Sequence, residues 1–210
     1  MDHVDSIVAG MWESIQLAGL SFVGATLFGI VIGVFRISPV ASLRAVGTIY
    51  VEFFRSMPIT VLFVFLYFGL PDVKVSLSAF FCSVLGLGLY GGAYIAEAIR
   101  SGVNAIPQGE IEAGRAIGLT QAQLLQCIVL PQAVRMVVAP IGNIFVDLVK
   151  DTSIAYTISV IEITGTASNL VSRYAKPVET FIAAGAAYMV LTIPLGIYFR
   201  KLESRKAIKR

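Results

Sequence analysis

Five stretches of this chain are apolar over the length that carries a helix across a bilayer, about 20 residues. They run roughly Ile15–Phe35, Leu43–Leu70, Leu77–Ile99, Leu130–Val149 and Phe181–Phe199. In hydrocarbon every backbone N–H and C=O needs an internal partner, so stretches of this kind fold as helices of a bundle. Composition agrees: the chain is 57% hydrophobic and 14% charged, where soluble domains carry about 25% charged residues. Its mean hydropathy is +0.83. The 210 residues suffice for one compact bundle, and a net charge of +3 gives no reason to expect a nucleic-acid partner. The second stretch is long and interrupted by Glu52 and Arg55. A further patch, Ile154–Ile163, is too short to span and fits a re-entrant or surface segment between the fourth and fifth helices.

Lys and Arg in the connecting segments orient such a bundle, because cytoplasmic loops carry the excess. One side holds Arg36, Arg44, Arg100, Arg115, Arg135, Arg200, Lys201, Arg205, Lys206, Lys209 and Arg210; the other holds Lys74, Lys150, Arg173 and Lys176. With Arg55 set aside as intramembrane, the balance is eleven to four. It predicts an N-terminus outside and a C-terminus in the cytoplasm. The opening residues, MDHVDSIVAGMWES, are acidic and lack the basic segment of a secretory signal, so no cleaved leader is expected. His3 lies in that acidic tail and is assigned no role. Cys82, in an apolar run, and Cys127, in a polar one, read as small packing residues rather than a disulfide.

This orientation places a hydrophilic interruption, about residues 107–130, in the cytoplasm. It predicts two short helices with a turn between them. Pro107, Gln108 and Gly109 break what precedes. Ala113, Ala116 and Ile117 fall at i, i+3 and i+4 and make a narrow apolar stripe. Glu112 and Arg115, at i and i+3, are spaced to pair on the polar side for roughly a few tenths of a kcal/mol. Gly118 suits a helix-ending position of positive φ, with Leu119 as the hydrophobic contact after it. Thr120 and Gln123 form a capping box for the second helix, and Pro131 suits the first turn of the next membrane helix. A helix lying on lipid headgroups carries more Lys, Arg and bulky aromatics. A small knob with an Ala/Ile stripe suits a protein groove.

The spacing Glu112-Ala113-Gly114, three residues, Gly118, nine residues, Ile128, one residue, Leu130-Pro131 resembles the EAA motif of ABC importer permeases. It departs at Gly114, where the family usually has a second alanine and where glycine lowers helix propensity by about 1 kcal/mol. In that family the segment is the coupling helix, seated in a cleft of the ATP-binding subunit. The resemblance therefore implies that Glu112, Ala113, Gly114, Arg115, Gly118, Leu130 and Pro131 couple the bundle to an ATPase. Glu112 would contact the ATPase or hold the loop through Arg115. The blocks VEFFRSMPITVLF, YIAEAIRSGVNAIPQGEIEAGRAIG and KDTSIAYTISVIEI look like those of the polar amino acid permeases, which import glutamate, glutamine, histidine, arginine and similar substrates.

What the resemblance implies is an all-α, polytopic transmembrane bundle of five spans, the transmembrane domain of a type I ABC importer. Residues 1–210 would form a single permease domain in the bacterial cytoplasmic membrane. Its partners would be membrane lipid, a second permease subunit (identical or related), two ATP-binding subunits, an extracytoplasmic solute-binding protein and a polar amino acid. ATP and magnesium belong to the ATPase; no cofactor, metal site or catalytic residue is expected in this chain. It contains no Walker sequence.

Charged residues inside the spans are the candidates for the substrate route. Glu52, Arg55 and Pro58 lie at i, i+3 and i+6. They are read either as a charged lining of the route or as a structural ion pair near the headgroups, since intramembrane charge costs about 2.5–3.5 kcal/mol on insertion scales. Glu97 and Arg100 repeat the i, i+3 spacing where Leu77–Ala96 already spans, so that pair reaches water; Glu97 stays among the route residues. Asn143, Asp147 and Lys150 share one face. With Asp151, Thr152 and Ser153 interrupting the helix, they read as an outer gate or substrate contact at the outer end of the fourth span, in preference to a plain loop cap. Tyr90 and Tyr94 read as packing or interface anchors, and Glu162 is given no role. Glycines 86, 88, 91, 92 and 165 permit close helix packing. An ion-gradient-driven secondary transporter is the alternative; inverted repeats would support it, and none is read here. An intramembrane enzyme would need a nucleophile–base pair or metal ligands in the spans, which the sequence lacks.

Overall fold

The computed structural model describes residues 2–206. The side chains of His3, Arg205 and Lys206, and all of Lys209 and Arg210, lie outside the described set. Among the described residues the chain is helical with no strand. Helix α1 is Asp2–Ile37, α2 Ala41–Ser56, α3 Ile59–Val64, α4 Ala79–Asn104, α5 Gln108–Ala116, α6 Gln121–Leu124, α7 Leu130–Asp151, α8 Ile163–Tyr174 and α9 Pro177–Lys206.

Four helical stretches are long and apolar enough to cross a membrane: Val4–Ile37, Ala79–Asn104, Gln121–Ile158 and Pro177–Ser204. The span expected over Leu43–Leu70 is not one helix. It is the pair α2 and α3, bent by 100°. The cause is Pro58, which bars the helical conformation at the residue before it; Met57 is extended at φ −90°, ψ 133°. Taken as one broken span, the pair brings the count to five.

Helix α4 is the axle, with 56% of its apolar stretch buried inside the protein against 11% for α9. It starts on a side-chain cap, Ser78 Oγ accepting from the Phe81 N–H at 3.2 Å. Helix α1 packs along it so closely that a Cβ on Gly29 would stand 2.6 Å from Ile95 Cβ. Leu17, Ala25, Phe63, Cys82, Leu87, Ile95, Leu148 and Ile158 form the central cluster. Helix α7 runs antiparallel to α4, with Leu148 against Gly91 and Val137 against Gly102.

Helix α7 does not begin afresh at Pro131. Helix α6 runs into it through a π turn at Leu125–Val129, making one rod from the insert to Ile158. Beyond Asp151 the rod tightens to a 3₁₀ segment, Thr152–Ile158. That segment is not superficial, since Ala155 and Ile158 are fully buried. Both cysteines are free, Cys82 buried and Cys127 exposed.

Candidate functional site

The insert closes as its residues dictate. Helix α5 ends at Gly118, which takes φ +85°. The Leu119 N–H donates to Gly114 O at 3.1 Å and the Gly118 N–H to Arg115 O at 3.0 Å, the paired bonds of a Schellman motif. Thr120 and Gln123 then cap α6 reciprocally. Glu112 and Arg115 form no ion pair among the described residues; instead the Gln132 amide donates to Glu110, tying α5 to α7. Gly114 is buried, and a Cβ there would stand 2.8 Å from Ile128 Cδ1. Glycine at the departing position thus lets α5 lie close on the rod. Beside it Ala113, Ala116 and Ile117 are exposed, Ile117 to 78%. Leu130 is 44% exposed, and Pro131 is also exposed beside it.

Above the insert, Arg36 at the end of α1 donates to Glu97 on α4. Arg100 donates to the same carboxylate through Nε at 3.1 Å and Nη2 at 2.5 Å. The Arg36 side chain is only 9% exposed. Glu97 is therefore held between two cations at the foot of the bundle.

A cleft of about 210 Å³ opens between α4 and α7, lined by Tyr90, Gly91, Tyr94, Ile144, Asp147, Leu148 and Asp151. It exceeds the roughly 150 Å³ that holds benzene in an engineered cavity, so a small organic molecule fits. The tyrosine hydroxyls lie 3.0 Å apart, and the Arg55 guanidinium stacks 5.3 Å from the Tyr94 ring centre. Lys150 pairs with Asp147 at 2.6 Å; both are exposed, so the bond is weak. Thr152 is fully buried and donates to Val149 O, while Ser153 is half-buried. Asn143 is exposed one turn from Asp147, outside the cleft lining. Glu52 and Pro58 are exposed on the α2–α3 elbow.

The cleft lies beside the middle of α4, where Leu148 of α7 meets Gly91. Gly91 lies thirteen residues before Asn104, or about 20 Å at 1.5 Å per residue. Helix α7 ends level with the middle of α4 because the buried 3₁₀ segment completes its path.

Glu162 is fully buried. Its carboxylate caps α8, accepting from Thr164 N at 3.0 Å and Gly165 N at 2.8 Å, and it receives the Tyr188 hydroxyl at 2.5 Å. Burial pushes its pKa up, against the pull of those bonds. From sequence the cleft tyrosines read only as packing or interface anchors, and neither the Arg36–Glu97 pair nor this cap was assigned. The one signal available for Tyr90 and Tyr94 was their i, i+4 spacing, which does not say which face of α4 meets α7.

The family described as binding-protein-dependent transport system inner membrane component matches residues 25–208. This chain belongs to that family, and the permease resemblance carried by residues 112–131 is borne out. The chain is 34% identical over 204 residues to the probable glutamine ABC transporter permease protein GlnM of Bacillus subtilis (strain 168), covering 97% of this chain and 94% of GlnM. It is 33% identical over 218 residues to the glutamate transport system permease protein GluC of Corynebacterium efficiens, covering 98% and 96%. Among solved structures, the crystal structure of an amino acid ABC transporter with histidines superposes at a TM-score of 0.93 with 27% identity, covering 97% of this chain and 95% of that one. The MetNI methionine ABC transporter in inward-facing form shares the fold at a TM-score of 0.80 and 20% identity.

Proposed function

We propose that this chain is the permease subunit of an ATP-driven importer for a polar amino acid. The carrying observation is the insert, whose Schellman turn and capping box hold an exposed Ala/Ile stripe in fixed shape. The relatives named for glutamine and glutamate transport support the substrate class. Two permease subunits, two ATP-binding subunits and an extracytoplasmic solute-binding protein make up the assembly. ATP and magnesium are held, and hydrolysis carried out, by the ATP-binding subunits. The N-terminus faces outward and the C-terminus the cytoplasm, as the Lys and Arg balance supports.

The insert about residues 107–130 is the seat of the ATP-binding subunit, with Glu112, Ala113, Gly114, Arg115, Gly118, Leu130 and Pro131 as its coupling residues. Closure of the motor pushes it and tilts α4 and α7. The substrate passes the α4–α7 cleft, where Asp147 and Asp151 meet an ammonium group and Arg55 a carboxylate. Lys150, Asn143, Thr152 and Ser153 border that path, Glu52 and Pro58 shape its α2 side, and Glu97 guards its inner end. Reconstitution with the receptor and the ATPase, scanning amino acids for stimulated hydrolysis, tests the reading. Uptake that survives ATP depletion but collapses with an ionophore would favour an ion-gradient carrier instead.

A further inference from the structure

Two places in the protein widen from α to π pitch, Phe65–Gly69 and Leu125–Val129, and a Leu-Pro pair follows each at once. In both, the leucine N–H reaches back five residues, from Leu70 to Phe65 O and from Leu130 to Leu125 O. Pro71 and Pro131 supply one cause. Proline has no N–H to give, and its ring collides with the carbonyl four residues back. Proline alone does not force a π turn, since Pro140 and Pro194 sit inside α7 and α9 without one. At Leu125–Val129 the second constraint is α5. Through the gap at Gly114 it reaches Leu124 and Ile128, and through Glu110 it holds Gln132. It therefore grips the rod before, within and beyond the turn.

We propose that Pro131 is a positioning residue: it locks this π turn, and the turn sets the angle at which the insert is presented to its partner. The inference rests on the coupling reading of the insert. A π turn holds one residue more than an α turn, and each residue turns an α-helix by about 100°. Relaxation to α pitch swings α5 and α6 around the rod by roughly that angle relative to α7. Ile117 and Gly118 then no longer face the partner's groove.

Pro131→Ala restores the missing donor and removes the clash. A spin-label pair at Ile117→Cys and Val134→Cys, with Cys127→Ser and the fully buried Cys82 left in place, reads the angle without any partner. The distance is expected to change by several ångströms. Capture of the ATP-binding subunit that copurifies with the wild-type protein is expected to fall at least about tenfold, the scale of a lost hot-spot contact. The thermal midpoint holds or rises, because a proline has left a helix. A purely structural proline would not behave so. Deleting Gln126 in the Pro131→Ala background removes the surplus residue, so an unbroken α-helix presents the insert at its original angle; distance and capture both return. If Pro131→Ala moves neither, or the deletion restores neither, the proposal is overturned. If the distance shifts and returns while capture never changes, the turn sets the angle and the coupling reading is what fails.

Discussion

The insert and the cleft differ in where their geometry originates. The bonds that shape the insert's turn join residues no more than five apart: Leu119 to Gly114, Gly118 to Arg115, Thr120 to Gln123. The cleft takes two tyrosines from α4 and two aspartates from α7, with Arg55 of α2 stacked on Tyr94, and exists only when these helices have packed. Local rules write the first and tertiary packing writes the second. A docking knob needs its shape before a partner arrives. Deep charges need surrounding helices to make their cost tolerable.

The largest effect is expected at Gly118. Gly118→Asp places a side chain on a backbone at φ +85° and a charge in the docking face. Transport in proteoliposomes should fall by at least about a hundredfold, the size of a strong hot spot, while the amount of inserted protein is unchanged. Normal transport would detach the insert from coupling. Next in size is the cleft. Asp147→Asn combined with Asp151→Asn should lower uptake and receptor-stimulated hydrolysis about tenfold, equivalent to about 1.4 kcal/mol. Capture of the ATP-binding subunit should stay intact; losing both together would erase the distinction between the two regions.

That distinction also explains what could be read in advance. Gly118, Leu119, Thr120 and Gln123 were legible because capping rules act within one turn. The spans were legible because length and apolarity are counted directly. The 100° bend at Met57–Pro58 had its signal in Pro58, but the uncharged run from Ser56 to Leu70 continued past it and masked the break. The meeting of Asp147 and Asp151 with Tyr90 and Tyr94 was hidden, because it depends on where α7 meets α4. The Glu112–Arg115 spacing allowed a pair that does not form; both side chains are exposed, where such a pair is worth little. Tyr90 and Tyr94 looked like packing residues for want of knowing their neighbours.

Glu162 combines the two kinds of geometry, capping α8 locally and reaching Tyr188 from afar. Burial favours its neutral form, so the folded protein keeps a proton that the unfolded chain has released. Stability therefore falls as pH rises from the ordinary glutamate value through the raised one. Glu162→Gln should flatten that slope in thermal midpoints measured against pH in detergent; an unaltered slope would assign it to another group. The smallest effect is at Thr120. Thr120→Ala removes one side of the capping box and should cost about 1 kcal/mol, seen as faster amide exchange confined to α6. Exchange spreading to the cleft would show that the insert is less self-contained than its bonds imply.

The most direct test is a cross-linking map of the assembled transporter from Ile117→Cys. The account predicts adducts with the ATP-binding subunit and protection from impermeant reagents added outside sealed cells. Adducts with the extracytoplasmic receptor, or labelling from outside, would contradict it.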